Sequence, residues 1–339
     1  MASTSTTPNS SFHIPLVDFS KYQHGTPSEQ KACIASIMDG FTTSGFLYLT
    51  NSGLSPAEAY EWSEAYFKLP LEEKMKHPNS NKEANRGYSG IGVEKTTNAD
   101  LESGGDAVEK LRALLPDLKE SLEIGSDEGR YPAKPWKNHY PESALPGFGD
   151  AMGEFYNKCD DLHHQLLSAI AEGLGLQKDW FKQYVTAGDH VLRLLHYPSV
   201  PKAVLGKEGA VRAGSHTDYG TVTLLFQDMS GGLQVRTPEG MWLDVEPVEG
   251  AIVINAGDML QIWTNDVIKS THHRVVSPPN PVTREDGSFS ARYSIAYFAH
   301  PDHERLINAI ENCVSESRPK KYGPIVPGDW MVKRLTATY

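Results

Sequence analysis

The amino-acid sequence predicts an α+β protein in which a mainly helical N-terminal region packs against a jelly roll or sandwich of β-strands. Apolar residues recur at helical spacing through much of the first half of the chain, whereas short runs of strand type follow one another from residue 191 onwards. Turn signals such as Ser230-Gly231-Gly232 and Pro238-Glu239-Gly240 separate these runs, which is typical of double-sheet architectures. A chain of 339 residues is also long enough to bury a sizeable core.

The first 146 residues divide into a predicted tail and a helical region. Residues 1–11 are rich in Ser and Thr and lack the basic and apolar segments of a signal peptide, so we expect a disordered tail. For the N-terminal region at 12–146 we predict strands at 14–19, 45–51 and 119–124, and helices at 28–44, 57–68, 106–115 and from 69 onwards. Gly, Pro and charged residues crowd 125–146, which predicts a surface loop and a candidate lid.

Residues 147–339 are predicted to form a long helix, a strand-rich core and a C-terminal helix. Apolar positions at helical spacing run from 147 to 174, and Gly175 is the expected end of that helix. Strands are expected at 191–197, 222–226, 233–235, 241–245, 251–255, 260–263, 269–276 and 292–299. The final helix is expected near 331–335.

Charge and cysteine content exclude several classes of function. The formal net charge of −11 disfavours binding to nucleic acid or to an anionic membrane. No apolar run approaches the ~18 residues that a transmembrane helix needs. Cys33, Cys159 and Cys313 lie far apart, so we expect neither a disulfide framework nor a Cys-rich zinc site. We therefore expect a cytoplasmic protein whose partner is a small-molecule substrate; the oligomeric state stays open.

A metal centre is predicted around Ala213-Gly214-Ser215-His216-Thr217-Asp218-Tyr219. On a strand, His216 and Asp218 project to the same side, and burying both is costly unless a cation or hydrogen bonds satisfy them. The pair His272-His273 supplies a third ligand, although the residues alone do not choose between the two histidines. Two histidines and one carboxylate form the open-sided triad of non-haem Fe(II) oxygenases. The alternative is that these are ordinary structural histidines.

An anion anchor is predicted at Arg292 and Ser294, which also share one strand face. A buried arginine must be neutralised, and its planar fork suits a carboxylate bound through two hydrogen bonds. A dicarboxylate could therefore chelate the metal at one end and meet this pair at the other. The alternative for Arg292 is a structural salt bridge.

At this point the chain resembles a known family, the Fe(II)/2-oxoglutarate-dependent dioxygenases of the isopenicillin N synthase-like group. The stretches that carry the resemblance are Ile14-Pro15-Leu16-Val17-Asp18-Phe19, Gly45-Phe46-Leu47-Tyr48-Leu49, Phe67 to Lys74, His216-Thr217-Asp218, His273-Arg274-Val275 and Arg292-Tyr293-Ser294-Ile295. They extend over nearly the whole chain. The resemblance implies a distorted double-stranded β-helix, that is, a cupin-like jelly roll flanked by helices.

The resemblance also implies the ligands of the centre. Iron would be held by His216, Asp218 and His273, which selects His273 over His272. The co-substrate 2-oxoglutarate would be held by Arg292, Ser294 and Tyr197, and O₂ would be the oxidant.

Within this family the chain is most similar to a thymine hydroxylase-type branch, through stretches such as Leu192-Arg193-Leu194-Leu195-His196-Tyr197-Pro198. The branch implies that Arg193, Tyr219 and Phe298 line the substrate pocket. Thymine-hydroxylating members have an Asn where this chain has His190, so we expect His190 at the substrate and a changed substrate preference.

The expected activity is oxidation of a small organic metabolite, with hydroxylation as the default and succinate and CO₂ released. An aromatic or polyketide-type biosynthetic metabolite and a nucleobase are the expected substrate types. One alternative is an oxidase of the isopenicillin N synthase kind that uses no 2-oxoglutarate. The other is a metal-bound sensor without turnover.

Overall fold

Two β-sheets packed face to face form the centre of the structure. The computed structural model describes residues 12–81, 85–93, 117–127, 136–201, 212–277 and 287–338. The tail predicted at 1–11 and the helix predicted at 106–115 lie outside these residues, as does part of the loop predicted at 125–146. All three stay predictions.

The described strands divide into a large sheet, a small sheet and a two-stranded ribbon. In chain order they are β1 (Leu16–Asp18), β2 (Phe46–Thr50), β3 (Gly87–Ser89), β4 (Glu120–Ile124), β5 (Val191–Tyr197), β6 (Val200–Pro201), β7 (Ala213–His216), β8 (Val222–Gln227), β9 (Leu233–Arg236), β10 (Trp242–Asp244), β11 (Ile252–Ala256), β12 (His273–Val275), β13 (Ser288–Phe289) and β14 (Arg292–Phe298). The large sheet has the order β1-β2-β11-β8-β14-β5-β4-β3, and the small one has the order β10-β9-β12-β7. β6 pairs with β13 in the ribbon.

The helices lie mainly against the outer face of the large sheet. They are α1 (Ser20–His24), α2 (Pro27–Thr43), α3 (Ala57–Phe67), α4 (Leu71–Lys74), α5 (Phe148–Gly173), α6 (Asp258–Trp263) and α7 (Pro327–Thr338), with 3₁₀ turns at Trp180–Tyr184 and Glu311–Cys313. Local sequence explains their ends. Thr26 and Glu29 form a capping box before α2, and Gly147, with a φ of 85°, precedes α5. Within the described residues, no helix is both long enough and apolar enough to cross a membrane.

Strand β14 shows how the large sheet separates its two faces. Ile295 and Tyr297 belong to the core between this sheet and the helices, whereas Ala296 belongs to the core between the two sheets. Arg292 and Ser294 share the inner face with Ala296 and line a cavity there. The period-2 alternation of a strand therefore directs the polar pair inward. This is the distorted double-stranded β-helix that the resemblance implies.

One predicted strand is wrong: residues 260–263 lie in helix α6, not in a strand. Met259, Leu260 and Trp263 are buried at helical spacing, and the amide of Gln261 donates to the carbonyl of Gly257. A four-residue apolar run fits a helix as well as a strand, so periodicity alone could not separate them. The strands predicted at 119–124, 191–197 and 292–299 are confirmed.

The N-terminal region and the C-terminal core share one sheet. β2 pairs with β11, and β4 pairs with β5. The boundary predicted at residue 147 stays a prediction, because strands from both sides of it belong to the large sheet.

Candidate metal centre and substrate cavity

Three predicted ligands converge where β7 meets β12. His216 and His273 are direct partners in this antiparallel pair, and Asp218 follows two residues after the end of β7. Asp218 Oδ1 lies 4.0 Å from His216 Nε2 and 3.8 Å from His273 Nε2. All three ligand atoms lie within 4.8 Å of one another, so one cation could contact them all.

Backbone carbonyls fix the tautomers of both histidines. His216 Nδ1 lies 2.8 Å from the carbonyl oxygen of Gly214, and His273 Nδ1 lies 3.1 Å from that of Thr271. A carbonyl only accepts, so each Nδ1–H donates and each Nε2 keeps its lone pair for a metal. Burial, helped by the neighbouring His273, lowers the pKa of His216 to about 3. The neutral imidazole that metal binding requires is therefore favoured.

Two hydrogen bonds orient the carboxylate of Asp218. Its Oδ2 accepts from Thr223 Oγ1 at 2.6 Å and from Asn255 Nδ2 at 2.7 Å, while Oδ1 faces the histidines. Burial disfavours the charged form, but the two histidines and these hydrogen bonds together hold the pKa of Asp218 below its usual value. The donor set is thus two neutral imidazole nitrogens and one carboxylate oxygen, which fits Fe(II).

Thr223 and Asn255 are site residues that no sequence motif marked. Asn255 is a buried polar residue on β11, whose other members are all apolar and buried. One polar residue in an otherwise apolar strand could have marked Asn255 in the sequence, because a buried amide requires a hydrogen-bond partner.

A second cluster of Asp160, His163 and His190 has its ligand atoms equally close, but its hydrogen bonds argue against a metal. His190 Nδ1 lies 3.0 Å from the backbone N–H of His300 and must accept that hydrogen bond. The proton of a neutral His190 is then on Nε2, which lies 3.4 Å from Asp160 Oδ1. His190 Nε2 therefore carries the ring proton and offers a metal no lone pair.

The substrate role predicted for His190 is corrected by this placement. Val191, Arg193, Leu195 and Tyr197 of β5 line the cavity, so the positions between them face the opposite side. His190, like the other even-numbered positions here, faces that opposite side. It is fully buried there against α5. His300, whose backbone it holds, lines the cavity instead.

Arg292 is a buried cation that lacks a complete set of partners. Its Nε donates to the Gly231 carbonyl at 3.1 Å, and its Nη1 donates to Ser294 Oγ at 3.1 Å. Its guanidinium carbon lies 5.0 Å from the centre of the Tyr197 ring. Nη2 is buried without a hydrogen-bond partner among the described residues. A buried, charged N–H group in this state fits a carboxylate ligand.

A second buried arginine, Arg212, strengthens the positive potential at this end of the site. Its Nη2 donates to the Ser290 carbonyl at 2.8 Å. Burial, followed by repulsion from Arg292, lowers the pKa of Arg212. In the described part of the chain neither arginine pairs with a carboxylate, so this end is arranged for an anion.

One cavity contains nine of the ten predicted site residues, and His190 is the exception. The nine are His216, Asp218, His273, Arg292, Ser294, Tyr197, Arg193, Tyr219 and Phe298. Residues that the sequence analysis did not select also line it, among them Asn85, Lys119, His300 and Met331. These four come from loops and from α7.

The end of the cavity around Arg193 is electrically balanced. Arg193 Nε lies 2.8 Å from Oε1 of Glu123, its cross-strand neighbour on β4. Its guanidinium carbon lies 5.5 Å from the centre of the Phe298 ring. Arg193, the cation at this end, therefore has a carboxylate partner.

Comparison with known proteins agrees with this geometry. The family model of the 2OG-Fe(II) oxygenase superfamily matches residues 188–301, and the non-haem dioxygenase in morphine synthesis N-terminal model matches residues 14–146. The structure of Neurospora crassa T7H in complex with alpha-KG and thymine is 42% identical, with a TM-score of 0.84 over 98% of this chain and 99% of that one.

Two curated fungal proteins are similar over most of their length. A 2-oxoglutarate-dependent dioxygenase of Dothideomycetidae sp. is 36% identical, over 91% of this chain and 92% of the relative. A proline hydroxylase of Petromyces alliaceus is also 36% identical, over 96% of this chain and 99% of the relative.

Replacing Thr223 by Val should weaken metal binding. The substitution keeps the shape of the side chain but removes one donor to Asp218, and loss of such supporting groups typically costs about 10–100-fold in metal affinity. Anaerobic titration with Mn(II) measures the effect. Thr221→Val is the matched control, because the Thr221 hydroxyl donates to the Ala299 carbonyl. Equal affinity in the two variants would contradict the assignment of Asp218.

Stability should fall as the pH drops through the range set by His163. Burial lowers the pKa of His163 to about 3 from its ordinary 6.5. Between these pH values the imidazole is protonated in the unfolded chain but not in the folded chain. The contribution of neutral His163 to the free energy of unfolding is complete above pH 6.5 and is lost progressively as the pH falls towards 3. Denaturant unfolding of His163→Gln should therefore show a flatter pH dependence than the wild type. Exposed His24→Gln is the control, and equal slopes in the wild type and His163→Gln would refute the prediction.

Proposed function

The chain belongs to the 2OG-Fe(II) oxygenase superfamily, and we propose that it hydroxylates a small, flat, uncharged metabolite bound beside Arg193. It is an Fe(II)- and 2-oxoglutarate-dependent dioxygenase, an oxidoreductase that acts on small metabolites and uses O₂.

We assign the iron to His216, Asp218 and His273, and the far carboxylate of 2-oxoglutarate to Arg292, Ser294 and Tyr197. Bound Fe(II) and 2-oxoglutarate supply the oxidising power, by coupling the reduction of O₂ to decarboxylation of the co-substrate to succinate and CO₂. The protein's part is to hold both groups in a fixed relation. Arg292 and Ser294 lie on β14, whereas the three ligands lie on or beside β7 and β12 of the facing sheet.

The buried Nη2 of Arg292 is the observation that carries the co-substrate assignment. An oxidase without 2-oxoglutarate would leave this charged group without a hydrogen-bond partner among the described residues, which is costly in an apolar interior. With 2-oxoglutarate bound, the carboxylate completes the set of hydrogen bonds. This supports the 2-oxoglutarate-dependent reaction over the isopenicillin N synthase kind.

The distribution of charge supports an uncharged substrate. Arg292 lines the anion-binding end and Arg212 is near enough to be repelled by it, whereas Arg193 is balanced by Glu123. A strongly anionic molecule therefore gains more at the first end, and a neutral molecule with carbonyl or hydroxyl groups suits the second. The ring of Phe298 beside Arg193 favours a flat partner.

Two substrate types meet these requirements, a nucleobase and a phenolic or polyketide-type metabolite. The Neurospora crassa relative was crystallised with thymine. The pocket here shares Arg193, Tyr219 and Phe298 with the pattern expected for that branch, and His190 lies behind the wall rather than in it. The replacement at 190 therefore argues less against a nucleobase than its position in the sequence indicated.

We also propose a reducing, cytoplasmic compartment. Cys33, Cys159 and Cys313 are all free and buried. Buried thiols without disulfide partners suit such a compartment.

A screen with the Fe(II)-loaded protein tests the function. Nucleobases and phenolic metabolites are added anaerobically to the Fe(II)–2-oxoglutarate complex, and a change in its visible absorption identifies a ligand. Succinate is then measured on admission of O₂, and one succinate per hydroxylated product is expected. Product without succinate would favour the oxidase, and neither product nor succinate with any compound would favour the sensor.

A pair of variants tests whether Arg193 contacts the substrate. Arg193→Leu should raise the KM of the substrate by about tenfold or more, because a buried hydrogen bond from a charged donor is lost. This variant also removes the cationic partner of Glu123, so the double variant Arg193→Leu/Glu123→Leu is needed. If Arg193 only neutralised Glu123, the double variant would recover the wild-type KM; the proposal expects the loss to persist. The Kd of 2-oxoglutarate should change little in either, and exposed Arg305→Leu is the control.

Replacing Arg292 by Lys should raise the Kd of 2-oxoglutarate by about tenfold or more. Lysine keeps the charge but loses the planar fork that meets both Ser294 and the carboxylate. Equilibrium titration of the Mn(II)-loaded protein gives the value. A Kd equal to that of the wild type would refute the anchor.

A further inference from the structure

The C-terminal helix α7 forms part of the wall of the substrate cavity. Met331 lines that cavity and is only 7% exposed, although it lies near the end of the chain. Arg334, about one turn further along, is 8% exposed. An arginine this buried on a terminal helix requires partners, and the identity of these partners indicates its role.

Two polar partners of Arg334 lie at the segment that carries the predicted metal ligands: Thr217 belongs to it, and Asp258 is hydrogen-bonded to it. Its Nη2 donates to Thr217 Oγ1 at 3.0 Å, and Thr217 lies between His216 and Asp218. The same nitrogen lies 3.5 Å from Asp258 Oδ2, and the backbone N–H of Asp258 donates to the Asp218 carbonyl at 2.8 Å. Arg334 thus links α7 to this segment directly through Thr217 and indirectly through Asp258.

The face of the guanidinium contacts a predicted substrate residue. The guanidinium carbon of Arg334 lies 4.7 Å from the centre of the Tyr219 ring, well within the range of a cation–π interaction. Tyr219 lines the cavity. The edge of one side chain therefore binds Thr217 and Asp258 while its face rests on Tyr219, which the planar guanidinium permits and an ammonium does not.

We propose that Arg334 is a positioning residue that fixes Tyr219 and Met331 around the substrate by clamping helix α7 to residues 217–219. The inference rests on the proposed function for the identity of the substrate side. The iron and 2-oxoglutarate residues lie on or beside the strands, so docking of α7 serves substrate binding and leaves the affinity for metal and co-substrate unchanged.

Three variants test the clamp. Arg334→Ala removes the contacts with Thr217, Asp258 and Tyr219, and Arg334→Lys keeps the charge without the planar face. Lys333→Ala is the control, because it removes an exposed positive charge from the same helix. Hydrogen–deuterium exchange of residues 327–338 is measured in the protein loaded with Mn(II) and 2-oxoglutarate. We expect exchange in α7 to accelerate about tenfold or more in Arg334→Ala, less in Arg334→Lys, and not in Lys333→Ala.

A second measurement separates positioning from a merely structural role. Thymine is the probe, or a compound found in the screen if thymine does not bind. Arg334→Ala should raise its KM or Kd about tenfold, while the Kd values of Mn(II) and 2-oxoglutarate stay within about twofold. Adding Tyr219→Leu to Arg334→Ala should then cost less than the sum of the two single changes.

Three results would overturn the proposal. They are exchange in α7 equal to that of Lys333→Ala, an unchanged substrate affinity despite a loosened helix, and a loss of Mn(II) affinity as large as the loss of substrate affinity. Failure of the proposed function has a different signature, since the wild-type protein would then release no succinate with any compound.

Discussion

The convergence of one carboxylate and two imidazoles inside an apolar double sheet is the constraint on which the rest of the site depends. Asp218 can remain charged there because Thr223 and Asn255 hydrogen-bond one oxygen while the other faces His216 and His273. Carbonyl oxygens fix both imidazoles as neutral tautomers with the metal-binding nitrogen inward. The sheet register therefore determines the chemistry as well as the fold, because β7, β8, β11 and β12 each deliver one member of this arrangement.

Hydrogen-bond partners distinguish two clusters that composition makes nearly identical. Each contains one Asp and two His with ligand atoms within 4.8 Å of one another. At the metal centre the imidazoles donate through Nδ1 to carbonyls, whereas His190 accepts through Nδ1 from the amide of His300. The position of one ring proton therefore separates an imidazole that offers its lone pair to a metal from one that does not. The residues that line the cavity do not include those of the second cluster.

Charge divides the cavity into two ends with different preferences. Arg292 and Arg212 lack carboxylate partners in the described part of the chain and favour an anion, while Glu123 balances Arg193 at the other end. This division suits a dicarboxylate at one end and, as we propose, an uncharged substrate at the other. Helix α7 forms part of the wall at the second end, and Arg334 holds it there through contacts with Tyr219 and Thr217.

The sequence by itself determined the pairs that lie close along the chain. The spacing of two residues places His216 with Asp218 and Arg292 with Ser294, because strand geometry is local. Alternation along β5 also places His190 and Arg193 on opposite faces, and this would have excluded His190 from the cavity. Only the tertiary structure decided that Asn255 supports Asp218, that Glu123 balances Arg193 and that Arg334 clamps Thr217, a residue 117 positions earlier. These contacts depend on which strands become neighbours and where the last helix docks, and that is decided by burial of the whole apolar surface, which no short stretch of sequence encodes.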